Sequence, residues 1–119
     1  MLDLSHKNLE VYKVSLLLVK EVYTVTKEFP KEEQYVLVSQ LRRAVISVSS
    51  NIAEGAARKT KPDRRRFYEI ASSSLVEVDT QIEVALLLNY TNTEQNKNIE
   101  NYLESIFKML SKMISNLDT

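Results

Sequence analysis

The sequence predicts an all-α protein, an antiparallel up-down-up-down four-helix bundle formed by residues 1–119 as a single domain. The chain has 119 residues, of which 44% are hydrophobic, so it has room for one modest core but not for two. It contains one glycine and two prolines, too few turn residues for an all-β chain. Four stretches repeat apolar residues at alternating steps of three and four, which is the spacing of one helix face.

The first stretch predicts a helix that is apolar around much of its circumference. We expect its core-facing seam to comprise Leu9, Tyr12, Leu16, Val19 and Tyr23. A second apolar stripe runs beside this seam and comprises Val11, Val14, Leu18, Val22, Val25 and Phe29. Together the two stripes exceed the roughly 100° arc that a surface helix needs, so we expect another subunit to cover part of this helix.

The second helix should follow a break at Phe29 and Pro30, because proline disfavours the α conformation in the residue before it. Residues 31–33, Lys-Glu-Glu, would then place acids in its first turn. Its predicted seam comprises Val38, Leu41, Val45, Val48 and Ile52. Gly55 lies inside this helix and has no turn to serve, so we expect it to allow a close approach of another backbone, at a cost of about 1 kcal/mol in helix propensity.

The third helix should begin after the breaking region 58–61, where Thr60, Pro62 and Asp63 form a cap-like start. Its predicted seam comprises Tyr68, Ala71, Leu75, Val78, Ile82 and Ala85. Residues 89–92 should close it.

A fourth helix is predicted after these residues, with Thr91 and Glu94 as its capping box. Its seam comprises Ile99, Leu103, Ile106, Leu110, Met113 and Leu117. Because short connections join antiparallel neighbours, the hinge between the second and third helices should share one bundle end with both termini. Pro30 and Tyr90 should lie at the other end.

Residues 29–55, FPKEEQYVLVSQLRRAVISVSSNIAEG, resemble a bacterial family of four-helix-bundle proteins first recognised as products of intervening sequences in 23S ribosomal RNA genes. The likeness spans roughly residues 9–90, departs at Tyr12 and Ser73, where the family commonly has tryptophan and glycine, and extends to the fourth helix only as a pattern. Further matching positions are Arg58, Phe67, Ile70, Ala71, Ser74 and Leu75.

This resemblance implies an antiparallel bundle that assembles as a ring-like homopentamer, with a poorly defined activity and an RNA-associated role. A more distant likeness to the accessory protein of diversity-generating retroelements implies contact with nucleic acid and a reverse transcriptase.

Basic residues cluster around the predicted hinge, with Asp63 as the single acid among them. The cluster comprises Arg58, Lys59, Lys61, Arg64, Arg65 and Arg66. Such groups displace counterions from phosphates, which gives salt-sensitive affinity independent of base sequence. Since 16 basic and 16 acidic residues cancel overall, any attraction to nucleic acid must come from this cluster. The alternative is a solvated helix end, and the spacing of Phe67 and Tyr68 predicts that both belong to the core.

Polar residues form two further stripes at helical spacing. One comprises Arg43, Ser47, Asn51, Glu54 and Arg58, and the other comprises Glu69, Ser73, Glu77 and Gln81. One interpretation is a hydrogen-bonded network that sets register at a helix or subunit interface. The other is the lining of a ligand-binding or catalytic site. Gly55 and its alanine neighbours favour the packing interpretation.

Catalytic and metal-binding patterns are not indicated. The chain has no Glu-x-x-His pair, and we expect its single histidine, His6, to be an exposed terminal side chain. Serines 72–74 have no basic partner at credible spacing. We therefore predict no catalytic residues, no metal, no cofactor and no enzymatic activity.

The chain also shows no sign of export or membrane insertion. It has no cysteine, which fits a reducing cytosol, and its first residues lack the basic start of a signal peptide. Its most apolar segment, residues 11–25, is interrupted by Lys13, Lys20 and Glu21. We expect a cytoplasmic protein that has no membrane contact.

Two functions remain open from the sequence. The first is a non-enzymatic bundle that self-assembles, as a pentamer by resemblance, and associates with ribosomal RNA or another nucleic acid. The alternative is an adaptor that recruits a polymerase or reverse transcriptase without touching RNA.

Overall fold

Four α-helices make up the computed structural model, which describes residues 1–118. Thr119, the last residue of the predicted domain, lies outside the described residues. The helices are α1 (Glu10–Thr26), α2 (Leu37–Ala57), α3 (Lys61–Leu87) and α4 (Lys97–Asn116), and short 3-10 helices occupy Ser5–Asn8 and Lys31–Glu33. Residues 1–118 contain no β-strand. The predicted all-α four-helix fold is therefore confirmed.

The helices are arranged as a square in which α1 and α3 each pack against both α2 and α4. The longest dimension is 44 Å, close to the about 40 Å expected for the 27 residues of α3, so the bundle is one helix tall. Arg65 in the first turns of α3 forms an ion pair with Asp118 near the C-terminus. At the opposite end, the Tyr90 hydroxyl donates a hydrogen bond to Glu33 Oε2 at 2.8 Å. These contacts confirm the predicted distribution of hinge and loops between the two ends.

The core seams of α2, α3 and α4 agree with the prediction. Every seam residue predicted for α2 and α3 is buried. On α4 the first four seam residues are buried, whereas Met113 and Leu117 near the helix end are half-buried. On these three helices the pattern of apolar residues alone therefore identified the core face.

The predicted seam of α1 is wrong. Its buried residues are Val11, Ser15, Leu18, Val22 and Thr26, most of which follow the second apolar stripe. Leu16, placed in the seam by the prediction, is 46% exposed, and the other four predicted members are only half-buried.

The reason is that two of the buried residues of α1 are polar, so an apolar pattern cannot count them. The Ser15 hydroxyl lies 2.6 Å from the carbonyl oxygen of Tyr12 and 2.8 Å from the Ser49 hydroxyl, and Thr26 Oγ1 donates to Val22 O at 2.7 Å. These bonds satisfy both hydroxyl groups inside the bundle.

The start of α2 also differs from the prediction. Residues Lys31–Glu33 form a separate 3-10 turn, and α2 begins only at Leu37. Val36, with φ −120° and ψ −93°, interrupts helical geometry between the two segments. The acids therefore lie in the loop, where Glu33 contacts Tyr90, and not in the first turn of α2.

The predicted capping box of α4 is wrong as well, because the helix begins at Lys97. Thr91 is buried and donates its hydroxyl to Asn96 Oδ1 at 2.9 Å. Asn92 Oδ1 accepts a bond from the Gln95 amide at 2.9 Å, so this asparagine stabilises the turn that precedes the helix.

The single histidine is also placed differently from the prediction. His6 lies in the 3-10 helix Ser5–Asn8, which contacts α1 and α2, and only 9% of its surface is exposed. Its ring meets the Tyr12 ring edge-on, with centroids 4.7 Å apart. The N-terminal segment thus folds back onto the bundle.

None of the helices between residues 1 and 118 combines the length and apolar character needed to cross a membrane.

Candidate nucleic-acid interface

The hinge between α2 and α3 is short and tightly fixed. The amide of Arg58 donates to Gly55 O at 3.2 Å, and the amide of Asp63 donates to Thr60 Oγ1 at 3.3 Å, which caps α3 as predicted. The chain reverses between these residues, so the six basic side chains of the predicted cluster lie at one end of the bundle.

Gly55 holds this hinge close to α3. A Cβ atom at this position would lie 2.6 Å from Tyr68 Cε1 and 3.3 Å from the carbonyl oxygen of Arg64. The predicted close approach is confirmed, and the atoms approached are a buried ring and a backbone carbonyl of α3. Burial raises the pKa of the Tyr68 hydroxyl above its ordinary value, partly opposed by the charge of Arg64.

Within residues 1–118, Arg58 and Arg65 form ion pairs with acids. Arg58 pairs with Glu54 at 2.8 Å, and Arg65 pairs with Glu69 at 3.5 Å as well as with Asp118. The pair of Glu54 and Arg58 lies within one predicted polar stripe, whereas Glu69 of the other stripe pairs with Arg65, which was predicted only as part of the basic cluster. These two arginines therefore help to fix the hinge and add little net charge.

Three other cations of the cluster extend into solvent without such neutralisation. Within residues 1–118, no carboxylate lies within 4.0 Å of Lys59, Arg64 or Arg66, and all three side chains are exposed. The Nε atom of Arg64 donates to the carbonyl oxygen of Arg58 at 2.8 Å, a bond that does not use its terminal nitrogens. This trio is the part of the cluster best suited to bind an anion.

Phe67 is a member of this site that the sequence interpretation missed. The guanidinium carbons of Arg58 and Arg66 lie 4.6 Å and 5.0 Å from its ring centroid, within the range of cation–π attraction. The ring is half-buried, so the prediction that it joins the core is wrong, whereas Tyr68 is buried as predicted. Phe67 precedes the seam residue Tyr68, and one residue of helix turns it about 100° away from the core.

The polar stripes form a partial network between α2 and α3. The hydroxyl groups of Ser47 and Ser74 lie 2.9 Å apart, and Asn51 Nδ2 donates to Ser47 O at 2.8 Å. Gln81 Nε2 donates to Gln40 Oε1 at 3.4 Å. Ser74 and not Ser73 makes the contact across the helices, because Ser73 is exposed.

Beside this network lies a shallow groove of about 280 Å³. Its lining comprises Gln40, Arg43, Ala44, Ser47, Ser74, Glu77 and Gln81. Arg43 and Glu77 therefore lie at this groove. Over residues 1–118, histidine, aspartate and glutamate side chains form no group of three that could hold a metal ion.

Comparisons with known proteins bear on the family and the fold of this chain. A sequence model of the family described as 23S rRNA-intervening sequence protein matches residues 7–112, which includes most of α4. A crystal structure of a protein of unknown function from the S23 ribosomal protein family of Bacteroides thetaiotaomicron is 24% identical, and the alignment covers 87% of this chain and 97% of that chain with a TM-score of 0.80. At this identity the likeness establishes the fold. A search of curated proteins found no match. Because the family model covers most of its length, this chain belongs to the 23S rRNA-intervening sequence protein family.

Proposed function

We propose that the protein is a non-enzymatic, self-assembling helical bundle that contacts RNA phosphates through the hinge between α2 and α3. The observation that carries this proposal is the exposed trio of Lys59, Arg64 and Arg66, which has no carboxylate within 4.0 Å among the described residues. The proposal keeps the cytoplasmic location expected for a chain without cysteine.

The hinge would bind RNA through charge and stacking. Each phosphate contact releases counterions, so the trio gives affinity that falls with salt. The ion pairs of Arg58 and Arg65 would hold the hinge in place while the trio binds. Phe67 contacts two guanidinium groups, and RNA bases that are unpaired stack on aromatic rings and on arginine planes. We therefore expect single-stranded loops to be favoured over regular duplex.

Self-assembly is the second part of the proposal, with the pentamer that the family resemblance implies as its expected form. It is supported by the solvent-facing side of α1, where Leu16 and Leu17 are each 46% exposed. Covering these adjacent leucines with a partner would remove apolar surface from water, which stabilises the assembly.

Fluorescence anisotropy tests the RNA contact. The probe is a hairpin from a ribosomal RNA intervening sequence, with a scrambled strand as its comparison, between about 50 and 200 mM salt. The variant changes Lys59, Arg64 and Arg66 to alanine. It should bind more weakly, and its slope of log affinity against log salt should be smaller by about 2 to 3.

The control removes the same charge from the opposite end of the bundle. It changes Lys27, Lys31 and Lys97, all exposed, to alanine. Equal losses in both variants would show that overall charge and not the hinge attracts RNA. Preference for the hairpin over the scramble would indicate contacts beyond phosphates.

The alternative function is an adaptor that recruits a polymerase or reverse transcriptase without touching RNA. The ion pairs of Arg58 and Arg65 favour it, because they neutralise part of the basic cluster. Absence of RNA binding by the wild-type protein at low salt would reject the RNA contact and make the adaptor the leading function.

A further inference from the structure

An apolar groove with an acidic rim lies between α3 and α4. Its volume is about 470 Å³. Leu75 and Leu103 form its buried floor, and Val76 and Phe107 line it while remaining 53% and 48% exposed. A partner that covers these two side chains would remove apolar surface from water, which favours association.

The charges around this groove are mostly negative. Asp79, Glu100, Glu104 and Lys108 line it, and Lys108 pairs with Glu104 at 2.8 Å. Among residues 1–118, neither Asp79 nor Glu100 has a cation within 4.0 Å. The groove therefore presents two unneutralised carboxylates beside an apolar surface.

The solvent-facing side of α1 has the opposite character. Lys13, Leu16, Leu17 and Lys20 are all exposed and follow one another at steps of three, one and three, so they share one face of the helix. The two lysines are about 10 Å apart along the axis and flank the leucines. Within the described chain, no carboxylate lies within 4.0 Å of either lysine.

We propose that this face of α1, comprising Lys13, Leu16, Leu17 and Lys20, docks into the α3–α4 groove of a second copy of the chain. The leucines would cover Val76 and Phe107, and the lysines would approach Asp79 and Glu100. The occupant is argued from charge: a basic, apolar helix face and an acidic, apolar groove occur on the same chain, whose 16 basic and 16 acidic residues cause no net repulsion between copies.

The arrangement of helices determines what kind of assembly results. Since α1 packs against α2 and α4 while the groove lies between α3 and α4, the two surfaces occupy different parts of the bundle. Such a contact is heterologous, so each copy uses both surfaces and successive copies close into a ring if the rotation permits. This inference rests on the self-assembly part of the proposed function and assigns its two faces.

Charge reversal tests the pairing by multi-angle light scattering after size-exclusion chromatography. One variant carries Lys13→Glu and Lys20→Glu, and the other carries Asp79→Lys and Glu100→Lys. Either alone should raise the dissociation constant of assembly more than about tenfold, because like charges then face each other. The quadruple variant in one chain should recover assembly, because each acidic α1 face then meets a basic groove.

Controls make each outcome decisive. Lys27→Glu with Lys31→Glu changes the same charge elsewhere and should leave assembly intact, and circular dichroism should show that every variant is helical. If a double variant fails to fold, the milder Lys13→Gln and Lys20→Gln variant should still weaken assembly. A wild-type oligomer that survives both charge reversals would overturn this interface while leaving self-assembly standing. A monomeric wild-type protein would overturn both, and RNA binding at the hinge would remain a separate measurement.

Discussion

At the scale of single residues, Gly55 shows why an amino acid of low helix propensity is used inside a helix. Its missing side chain leaves space that the Tyr68 ring and the Arg64 carbonyl occupy. In an exposed helix, Gly→Ala would add about 1 kcal/mol of stability through helix propensity. Here the added methyl group meets a buried ring and a backbone atom, so close packing should outweigh propensity.

We expect Gly55→Ala to lower the free energy of unfolding by about 1 to 3 kcal/mol, because small-to-large changes strain a packed core. Urea unfolding followed by circular dichroism measures it. Ser50→Ala, at an exposed position of the same helix, is the matched control and should be neutral or slightly stabilising. A stabilised Gly55→Ala protein would mean that α3 moves away at little cost.

At the scale of elements, α1 and α2 are joined by a buried pair of hydroxyl groups. Ser15 is fully buried, and its hydroxyl lies 2.8 Å from that of Ser49. This bond fixes the height of one helix against the other, since a shift by one turn would remove the Ser49 hydroxyl from its partner on α1.

Removing one of the two hydroxyl groups should lower the free energy of unfolding by more than half of the decrease caused by removing both. Ser15→Ala leaves the Ser49 hydroxyl buried without this partner, at about 1 to 3 kcal/mol, whereas the double alanine variant leaves neither group unsatisfied. A double-mutant cycle on the free energy of unfolding measures the coupling. Strictly additive losses would show that the two serines act independently.

The end of α3 illustrates how a loop contact depends on pH. Asn89 has φ 62°, and the amide of Tyr90 donates to Ala85 O at 2.9 Å, which together close α3 in a Schellman motif. This geometry directs Tyr90 toward the other loop, where its hydroxyl bonds to Glu33. That hydrogen bond, followed by burial and the charges of Glu33 and Glu32, raises the pKa of Tyr90.

The raised pKa of Tyr90 determines how the stability contributed by its hydrogen bond to Glu33 changes with pH. The neutral tyrosine is favoured in the folded state, so its contribution is complete below the ordinary tyrosine pKa of about 10 and is lost as pH rises through the folded value. Tyr90→Phe should therefore lower the Tm at pH 7, and the difference from wild type should begin to shrink near about pH 10 and disappear only above the raised pKa of Tyr90. Tyr35→Phe is the control, because Tyr35 is 88% exposed. A Tm difference that is unchanged by pH would contradict this account.

At the scale of the whole molecule, the 16 basic and 16 acidic residues balance in number but are unevenly distributed over the surface. Cations gather at the hinge, while unneutralised acids lie beside the α3–α4 groove. A chain without net charge is not driven apart from its own copies, so local patches decide what it contacts.

If copies associate, stability must depend on concentration. Folding linked to assembly is favoured by mass action, so the Tm of the wild-type protein should rise as its concentration is increased by about two orders of magnitude. Differential scanning calorimetry measures this shift. A Tm that is independent of concentration across that range would indicate an isolated bundle.

The sequence by itself determined the fold class, the number of helices, the core faces of α2, α3 and α4, and the bundle end at which the basic hinge lies. These follow from the period of apolar residues and from short connections, which are local properties of a chain. Gly55 belongs with them, because a glycine without a turn to serve has few other uses.

Only the tertiary structure decided the core face of α1, the burial of His6 and the division of the hinge cations into neutralised and unneutralised groups. Ser15 and Thr26 are buried through hydrogen bonds that residue type does not reveal, and His6 is covered because the N-terminal segment returns to the bundle. Arg65 is neutralised through tertiary structure as well, since its partner Asp118 lies 53 residues away in the sequence. Charge neutralisation and polar burial depend on contacts between residues that are distant in the sequence, and only the packing of the helices determines those contacts.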